Sequence, residues 1–253
     1  MKTFFLDIDG VIYKNGIINE DVLQTIKNKN NKYVFCTGRG YSRCLDIVKK
    51  YIDIDDEIIL ENGGQIIKNS KTIYYDKISK NIKKVLKYIQ PQNIEHIIFA
   101  SKENNEYYSY GNKHLLHVKK QYVDFKEFLN LVYSSNLCQI TMKFKDENSQ
   151  KIFLAICEKY NIEYKLSENY VIINNKGTSK KTAIEYLIKK NKLAMSDCII
   201  VGNDYNDIDM YNINCYKKIG VIDDNTPEEI KIKATDLVSF EELPKLINTI
   251  IYK

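Results

Sequence analysis

Short apolar runs alternate along this chain with stretches whose apolar positions recur every three or four residues. Residues 2–8 (KTFFLDI), 32–37 (KYVFCT) and 56–60 (DEIIL) are continuous apolar runs of strand length. Between them, residues 20–29 place Val22, Leu23 and Ile26 on one helical stripe, and residues 40–52 do the same with Cys44, Leu45 and Val48. Strands and helices joined by short connections predict a parallel sheet with right-handed crossovers. The grammar returns late in the chain. Residues 179–191 predict a helix, 197–202 a strand, 206–211 a short helix, 216–222 a strand and 226–234 a helix with Pro227 in its first turn, before a final helix.

The middle follows a different rule. Residues 65–76 predict a hairpin turning at Asn69-Ser70-Lys71, and residues 79–89 a helix ended by Gln90-Pro91. Residues 95–111 predict two antiparallel strands around the turn 102–105, and residues 163–175 a second pair around 167–169. Residues 139–146 (QITMKFKD) alternate polar and apolar, as a sheet with one covered face does. Helical patterns at 125–133 and 147–161 supply the cover. The fold class read from this is α/β: a Rossmann-like parallel-sheet core over residues 1–80 and 170–253, with an α+β domain inserted at 81–169, the place of the cap in the resemblance given below.

Composition narrows the function classes. The 253 residues carry 38 basic and 33 acidic side chains, a formal charge of +5, with the lysines scattered rather than gathered in a stripe. That argues against nucleic acid as the partner and suits an anionic small molecule. No apolar run is long enough to span a bilayer, and the opening FFL run is cut by Asp7, so neither a membrane partner nor a secretory leader is expected. The six cysteines form no CxxC pair and read as free thiols of a cytoplasmic protein.

Candidate chemistry gathers at strand ends, where ligands of open parallel sheets bind. The first strand delivers Asp7-Ile8-Asp9-Gly10, the second Thr37-Gly38-Arg39, and the late one Gly202-Asn203-Asp204-Tyr205-Asn206-Asp207. Asp7 and Asp9 are two apart and point the same way if the strand continues. Two such carboxylates repel unless a cation sits between them or one holds a proton. A hard divalent ion such as Mg²⁺ meets the first condition, and a nucleophile beside a general acid meets the second. Thr37 and the Gly38 amide suit a phosphate oxygen. Lys180 stands in the first turn of a helix capped by Thr178 or Ser179, where a lysine opposes the helix dipole unless an anion is near. Each cluster has a plainer reading: an Asp-Gly turn, a capping threonine, an acidic N-terminal turn, a surface lysine. Their coincidence on one rim favours a site.

These four pieces resemble the haloacid dehalogenase (HAD) superfamily of phosphatases, and within it the Cof-like subfamily with a C2-type cap. The resemblance rests on DxDG at residues 7–10, CTGR at 36–39, ENGG at 61–64, TSKKTAIEYL at 178–187 and NDIDM at 206–210. It covers residues 1–80 and 170–253; the insert matches in placement and mix of elements. The resemblance implies that Asp7 is the nucleophile forming an aspartyl phosphate, and that Asp9 protonates the leaving alcohol and then activates water. It implies Mg²⁺ held by Asp7, the main-chain carbonyl of Asp9 and the late loop through Asn203 and Asp207. Thr37, Gly38, Lys180 and Asn206 would hold the phosphoryl oxygens. Two departures stand out. Asn203 replaces the family's metal-binding aspartate, with Asp204 beside it as a substitute, and Val11 replaces a threonine. The implied activity is Mg²⁺-dependent hydrolysis of a small phosphorylated metabolite, a sugar phosphate or a cofactor phosphate. The same motifs admit a phosphomutase, and Asn203 admits a catalytically weak phosphate-binding protein.

Overall fold

The structure is a computed structural model that describes all residues except 29, 30, 52, 54, 55, 103–105, 112–117, 168, 169 and 253. The turns expected at 102–105 and 167–169, and the helix ends expected at 29 and 52, fall largely or wholly outside the described residues. The chain divides into two compact units: residues 1–39, 44–74 and 179–253 form one, residues 40–43 and 75–178 the other.

The first unit is built on an eight-stranded sheet. Its order is Asp236–Val238, Lys217–Val221, Cys198–Gly202, Thr3–Leu6, Lys32–Cys36, Glu57–Leu60, Gln65–Lys68 and Lys71–Tyr75. The first six strands are parallel, and Gln65–Lys68 turns back antiparallel. Thr3–Leu6 lies at the centre with every residue buried. Parallel strands covered on both faces need such uninterrupted apolar runs. One face packs Phe5, Val34, Ile59 and Ile200 against Ile184, Leu187 and Ile188 of the helix Lys180–Lys190. Each large side chain so buried contributes roughly 1.5–3 kcal/mol. The helices Glu20–Asn28 and Leu243–Ile251 pack against each other elsewhere in this unit.

The second unit is a six-stranded sheet in the order Val118–Tyr122, Tyr107–Gly111, Ile94–Ala100, Ile140–Phe144, Tyr170–Ile173 and Lys165–Ser167. Ile140–Phe144 alternates buried and half-buried residues along its length. Its inward residues join Phe99, Phe128 and Phe153 in one core with the helices Lys80–Val85, Phe125–Ser134 and Glu147–Lys159. Tyr108 and Tyr110 pack into this core, with Tyr110 against the rings of Phe125 and Phe128. Tyr107 belongs instead to a separate cluster with Ile98 and Ala100. Ser79, Asp124 and Asp146 cap the three helices.

Several elements differ from expectation. Residues 206–211 form two 3₁₀ turns, Tyr205–Asp207 and Met210–Asn212, rather than a helix. The side chains of Asp204 and Asp207 bond the local amides and compete with helical hydrogen bonding. The helix at 79–89 tightens to 3₁₀ after Val85, and Pro227 stands before its helix rather than within it. The strands Val118–Tyr122 and Asp236–Val238 were not foreseen: both lie at sheet edges, one is lysine-rich, and neither shows clear alternation. A hairpin of Tyr13–Lys14 and Ile17–Ile18 also went unforeseen, although its Asn15-Gly16 turn, with φ of 51° and 83°, is a strong hairpin signal.

Candidate active site

Asp7 follows the central strand directly and lies two residues beyond Phe5, hence on the face that packs against the helix beginning at Lys180. Lys180 is fully buried at the first position of that helix, which Ser179 caps in a box with Thr182. A lysine there opposes the helix dipole. Two carboxylates compensate: Lys180 Nζ donates to Asp7 Oδ1 and to Asp207 Oδ1, each at 2.7 Å. The plainer reading of Lys180 as a surface lysine does not survive this placement. Burial pulls an ammonium down, but Asp207 and Asp7 outweigh it and hold Lys180 above the ordinary lysine value. For Asp7 burial dominates, reinforced by Asp207, and pushes its carboxyl well above the usual range despite Lys180. One ammonium is shared by two buried carboxyls, so with both ionised the group carries one negative charge more than positive.

Both oxygens of Asp207 accept hydrogen bonds. Its Oδ2 accepts from the amides of Asn203 at 2.9 Å and Asp204 at 3.2 Å, while Oδ1 serves Lys180. The loop closes so tightly that a Cβ on Gly202 would lie 2.8 Å from the Asp207 carboxyl carbon. Asp204 caps this turn, accepting from Tyr205 N at 2.7 Å. Asn203 lies against Gly10, where an added Cβ would meet its amide nitrogen at 2.1 Å. Gly10 also needs its φ of 78°. Asn203 Oδ1 is buried and accepts no hydrogen bond among the described residues.

Asp9 stands apart from this buried group. Its side chain is 51% exposed and accepts two hydrogen bonds from Arg39, at 2.8 Å from Nε and 2.6 Å from Nη2. The Arg39 guanidinium also lies 5.8 Å from the ring centroid of Tyr13 in the small hairpin. The bond to Asp9 holds Arg39 above its ordinary value. Thr37 is buried, and its hydroxyl accepts from Arg39 N at 3.1 Å. Gly38 faces Asn62 and Asn206: a Cβ there would lie 3.1 Å from Asn62 Oδ1 and 3.5 Å from Asn206 Nδ2. Asn206 donates to Asn62 Oδ1 at 3.1 Å, and its own Oδ1 is buried without a partner among the described residues.

Asp7, Lys180 and Asp207 thus meet directly, Thr37, Gly38 and Asn206 gather through Asn62, Asn203 lies beside Gly10, and Asp9 is tied to Arg39. Sequence reasoning singled out neither Arg39 nor Asn62 for a role. The signal for Asn62 was present, since Asn-Gly after a buried strand marks a left-handed turn. Arg39 carried no local signal, because its partner is remote in sequence.

Among the described residues, no three or more His, Cys, Asp or Glu side chains form a metal cage. The donor chemistry nevertheless fits a hard cation of modest affinity. The Asp7 carboxylate, the Asp9 carbonyl and the orphaned Asn203 amide oxygen are all oxygen donors, and with both buried carboxyls ionised the site has one negative charge in excess.

A model of the haloacid dehalogenase-like hydrolase family matches residues 4–242. An uncharacterized protein of Mycoplasma capricolum is 30% identical over 94% of this chain and 96% of its own length. A phosphoglycolate phosphatase of Nitrosopumilus maritimus is 23% identical, covering 94% of this chain and 90% of its own. Among solved structures, a Thermotoga maritima protein superimposes with a TM-score of 0.80 at 18% identity, over 99% of this chain and 96% of its own. A sugar phosphatase described as HAD subclass IIB gives 0.77 at 19% identity, over 99% of both chains. With the rim geometry and a family model spanning nearly its whole length, the chain belongs to the haloacid dehalogenase-like hydrolase family.

Proposed function

We propose that this hydrolase is a Mg²⁺-dependent phosphatase of small phosphorylated metabolites, acting through an aspartyl phosphate on Asp7. The observation that carries the reading is the state of Asp7: its Oδ1 is held by Lys180, while Oδ2 accepts no hydrogen bond among the described residues. Once ionised, a carboxyl oriented through one oxygen presents the other as a nucleophile, and the Mg²⁺ that Asp7 would hold favours that ionised form against burial. Oδ2 attacks phosphorus, the ester oxygen leaves, and Asp9 protonates it. Asp9 then takes a proton from the water that hydrolyses the acyl phosphate, releasing inorganic phosphate and restoring Asp7. Each Asp9 oxygen accepts one bond from Arg39 and keeps a second lone pair, so Arg39 orients the carboxyl while leaving it a position for the proton.

Thr37, the Gly38 amide, Lys180 and Asn206 are suited to hold the phosphoryl oxygens as charge redistributes. Asp7, the Asp9 carbonyl and Asn203 would hold Mg²⁺, which supplies charge neutralisation when bound. Asp207 fixes Lys180 and the late loop, and its Oδ1, with a lone pair to spare, stands with these as a proposed Mg²⁺ ligand. The second compact unit is proposed as the cap that selects the leaving group. The named activities of relatives, on phosphoglycolate and on sugar phosphates, support a small phosphorylated substrate.

The test is hydrolysis of p-nitrophenyl phosphate with and without Mg²⁺, by the native protein and by Asp7→Asn. The native protein should release phosphate only with the metal, and the variant should release none. Equal rates from both would overturn the mechanism. Asn203→Asp restores a charge to the metal site and should lower the half-saturating Mg²⁺ concentration about tenfold, because ligand charge sets the affinity of oxygen sites.

A further inference from the structure

Three successive residues after the strand Glu57–Leu60 adopt a left-handed backbone: Glu61 with φ 51°, Asn62 with φ 54° and Gly63 with φ 94°. Only the last is glycine. Left-handed backbone is unfavourable for residues with a Cβ, although asparagine tolerates it better than most, and two such residues in series persist only where the surroundings impose them. Glu61 and Asn62 are also buried. A surface turn between a strand and the next would need none of this.

The turn touches several of the elements assigned to the phosphoryl group. Glu61 N donates to Arg39 O at 3.0 Å and Asn62 N to Thr37 O at 3.1 Å, which ties it to the Thr37–Arg39 loop. Gly63 abuts the start of the helix that bears Lys180: a Cβ there would lie 2.1 Å from Ser179 O and 3.2 Å from Lys180 N. Asn62 Oδ1 accepts from Asn206 Nδ2, and its side chain lies against Gly38. One amide therefore spans from the second strand's loop to the late loop, from a backbone that faces it correctly only while it stays left-handed.

We propose that Asn62 is a positioning residue, which sets the spacing of the Thr37–Gly38 loop and Asn206 for a phosphoryl group through its side-chain amide. It touches no reacting atom. The inference rests on the reading of this rim as a phosphoryl site. It adds that the site's geometry is imposed from the strained turn at 61–63, to which the resemblance assigned no role. The Oδ1 of Asn206, buried and unpartnered among the described residues, agrees, since that amide is oriented by Asn62 rather than by its own needs.

The experiment is a double-mutant cycle on Asn62→Gly and Asn206→Ala. It reads kcat and KM for p-nitrophenyl phosphate with Mg²⁺ and, independently of turnover, the affinity for inorganic phosphate by calorimetry. Circular dichroism and thermal melting check the fold. Asn62→Gly admits the left-handed backbone and removes the side-chain amide. It should weaken phosphate binding about tenfold and lower kcat/KM at least as much. Asn206→Ala should do likewise, and the double variant should fall well short of the product of the two losses. Should Asn62→Gly fail to fold, Asn62→Ser, whose shorter side chain withdraws the acceptor, takes its place in the cycle. Losses that multiply in the double variant, or Asn62 variants within twofold of native in both readouts, would overturn the inference while leaving the phosphatase reading intact. A native protein that neither hydrolyses the ester nor binds phosphate would overturn both.

Discussion

Each of the two compact units buries one lysine among the described residues, and the two lysines solve the same problem in opposite ways. Lys83, in the second unit, donates to the carbonyls of Val132 at 2.7 Å, Tyr133 at 3.3 Å and Ser135 at 2.7 Å. These lie at the C-terminal end of the helix Phe125–Ser134, where the last carbonyls have no partner within the helix. Three neutral carbonyls accept from this ammonium, and the helix dipole favours the charge. Lys180, in the first unit, meets two carboxylates at the end of a helix that disfavours it. Burial alone therefore does not mark a functional group. The mark is a buried charge whose partners are themselves charged, with the balance left incomplete.

Exchanging each lysine for methionine breaks the comparison most directly. Lys180→Met leaves Asp7 and Asp207 buried together without a cation, and phosphatase turnover should fall about 10³-fold, the scale of losing a preorganised charge from such a site. Retention of more than a tenth of native kcat/KM would mean that Lys180 serves only the fold. Arg39 tests the next layer of the same site. Arg39→Ala frees Asp9, so loss should depend on the leaving group: about 10²-fold for an alkyl phosphate that needs its proton delivered, and far less for p-nitrophenyl phosphate. An equal loss on both esters would assign Arg39 to the fold or to binding instead.

The second unit should answer in stability rather than rate. Lys83→Met strands helix-end carbonyls and should cost about 2–3 kcal/mol in denaturant unfolding, with kcat/KM per folded molecule unchanged. The smallest effect concerns Asp146, whose side chain accepts from the Ser149 amide at 2.8 Å and the Ser149 hydroxyl at 2.7 Å. The amide bond first, and the hydroxyl second, hold its carboxyl below the usual range. A depressed carboxyl contributes stability above its unfolded pKa of about 3.9 and loses it as pH falls through the folded value. Asp146→Ala should therefore lower the melting midpoint slightly at pH 7, and the difference from native should vanish at strongly acidic pH. A difference that persists there would place the contribution in packing.

The expected placement of ligands at strand ends came from local rules, because apolar runs, caps and turn residues act over a few positions. The parallel grammar of the first unit was legible for this reason, and so was the one-faced alternation of Ile140–Phe144. The short motifs that carry the resemblance stand at the strand ends and so mark the rim. Local rules failed where side chains compete with the backbone, as at Tyr205–Asp207, or where an edge strand has little to bury, as at Val118–Tyr122.

The sequence by itself determined which residue types stand at the strand ends and how they alternate between faces, since a period of two or of 3.6 is a property of the chain. Only tertiary structure decided who meets whom. Lys180 joins Asp7 across 173 positions of sequence, Arg39 takes Asp9 across 30, and Asn206 reaches Asn62 across 144. Such pairings depend on sheet order and on the angles at which loops leave it. Those emerge from packing the whole core, and no window of a few residues contains them.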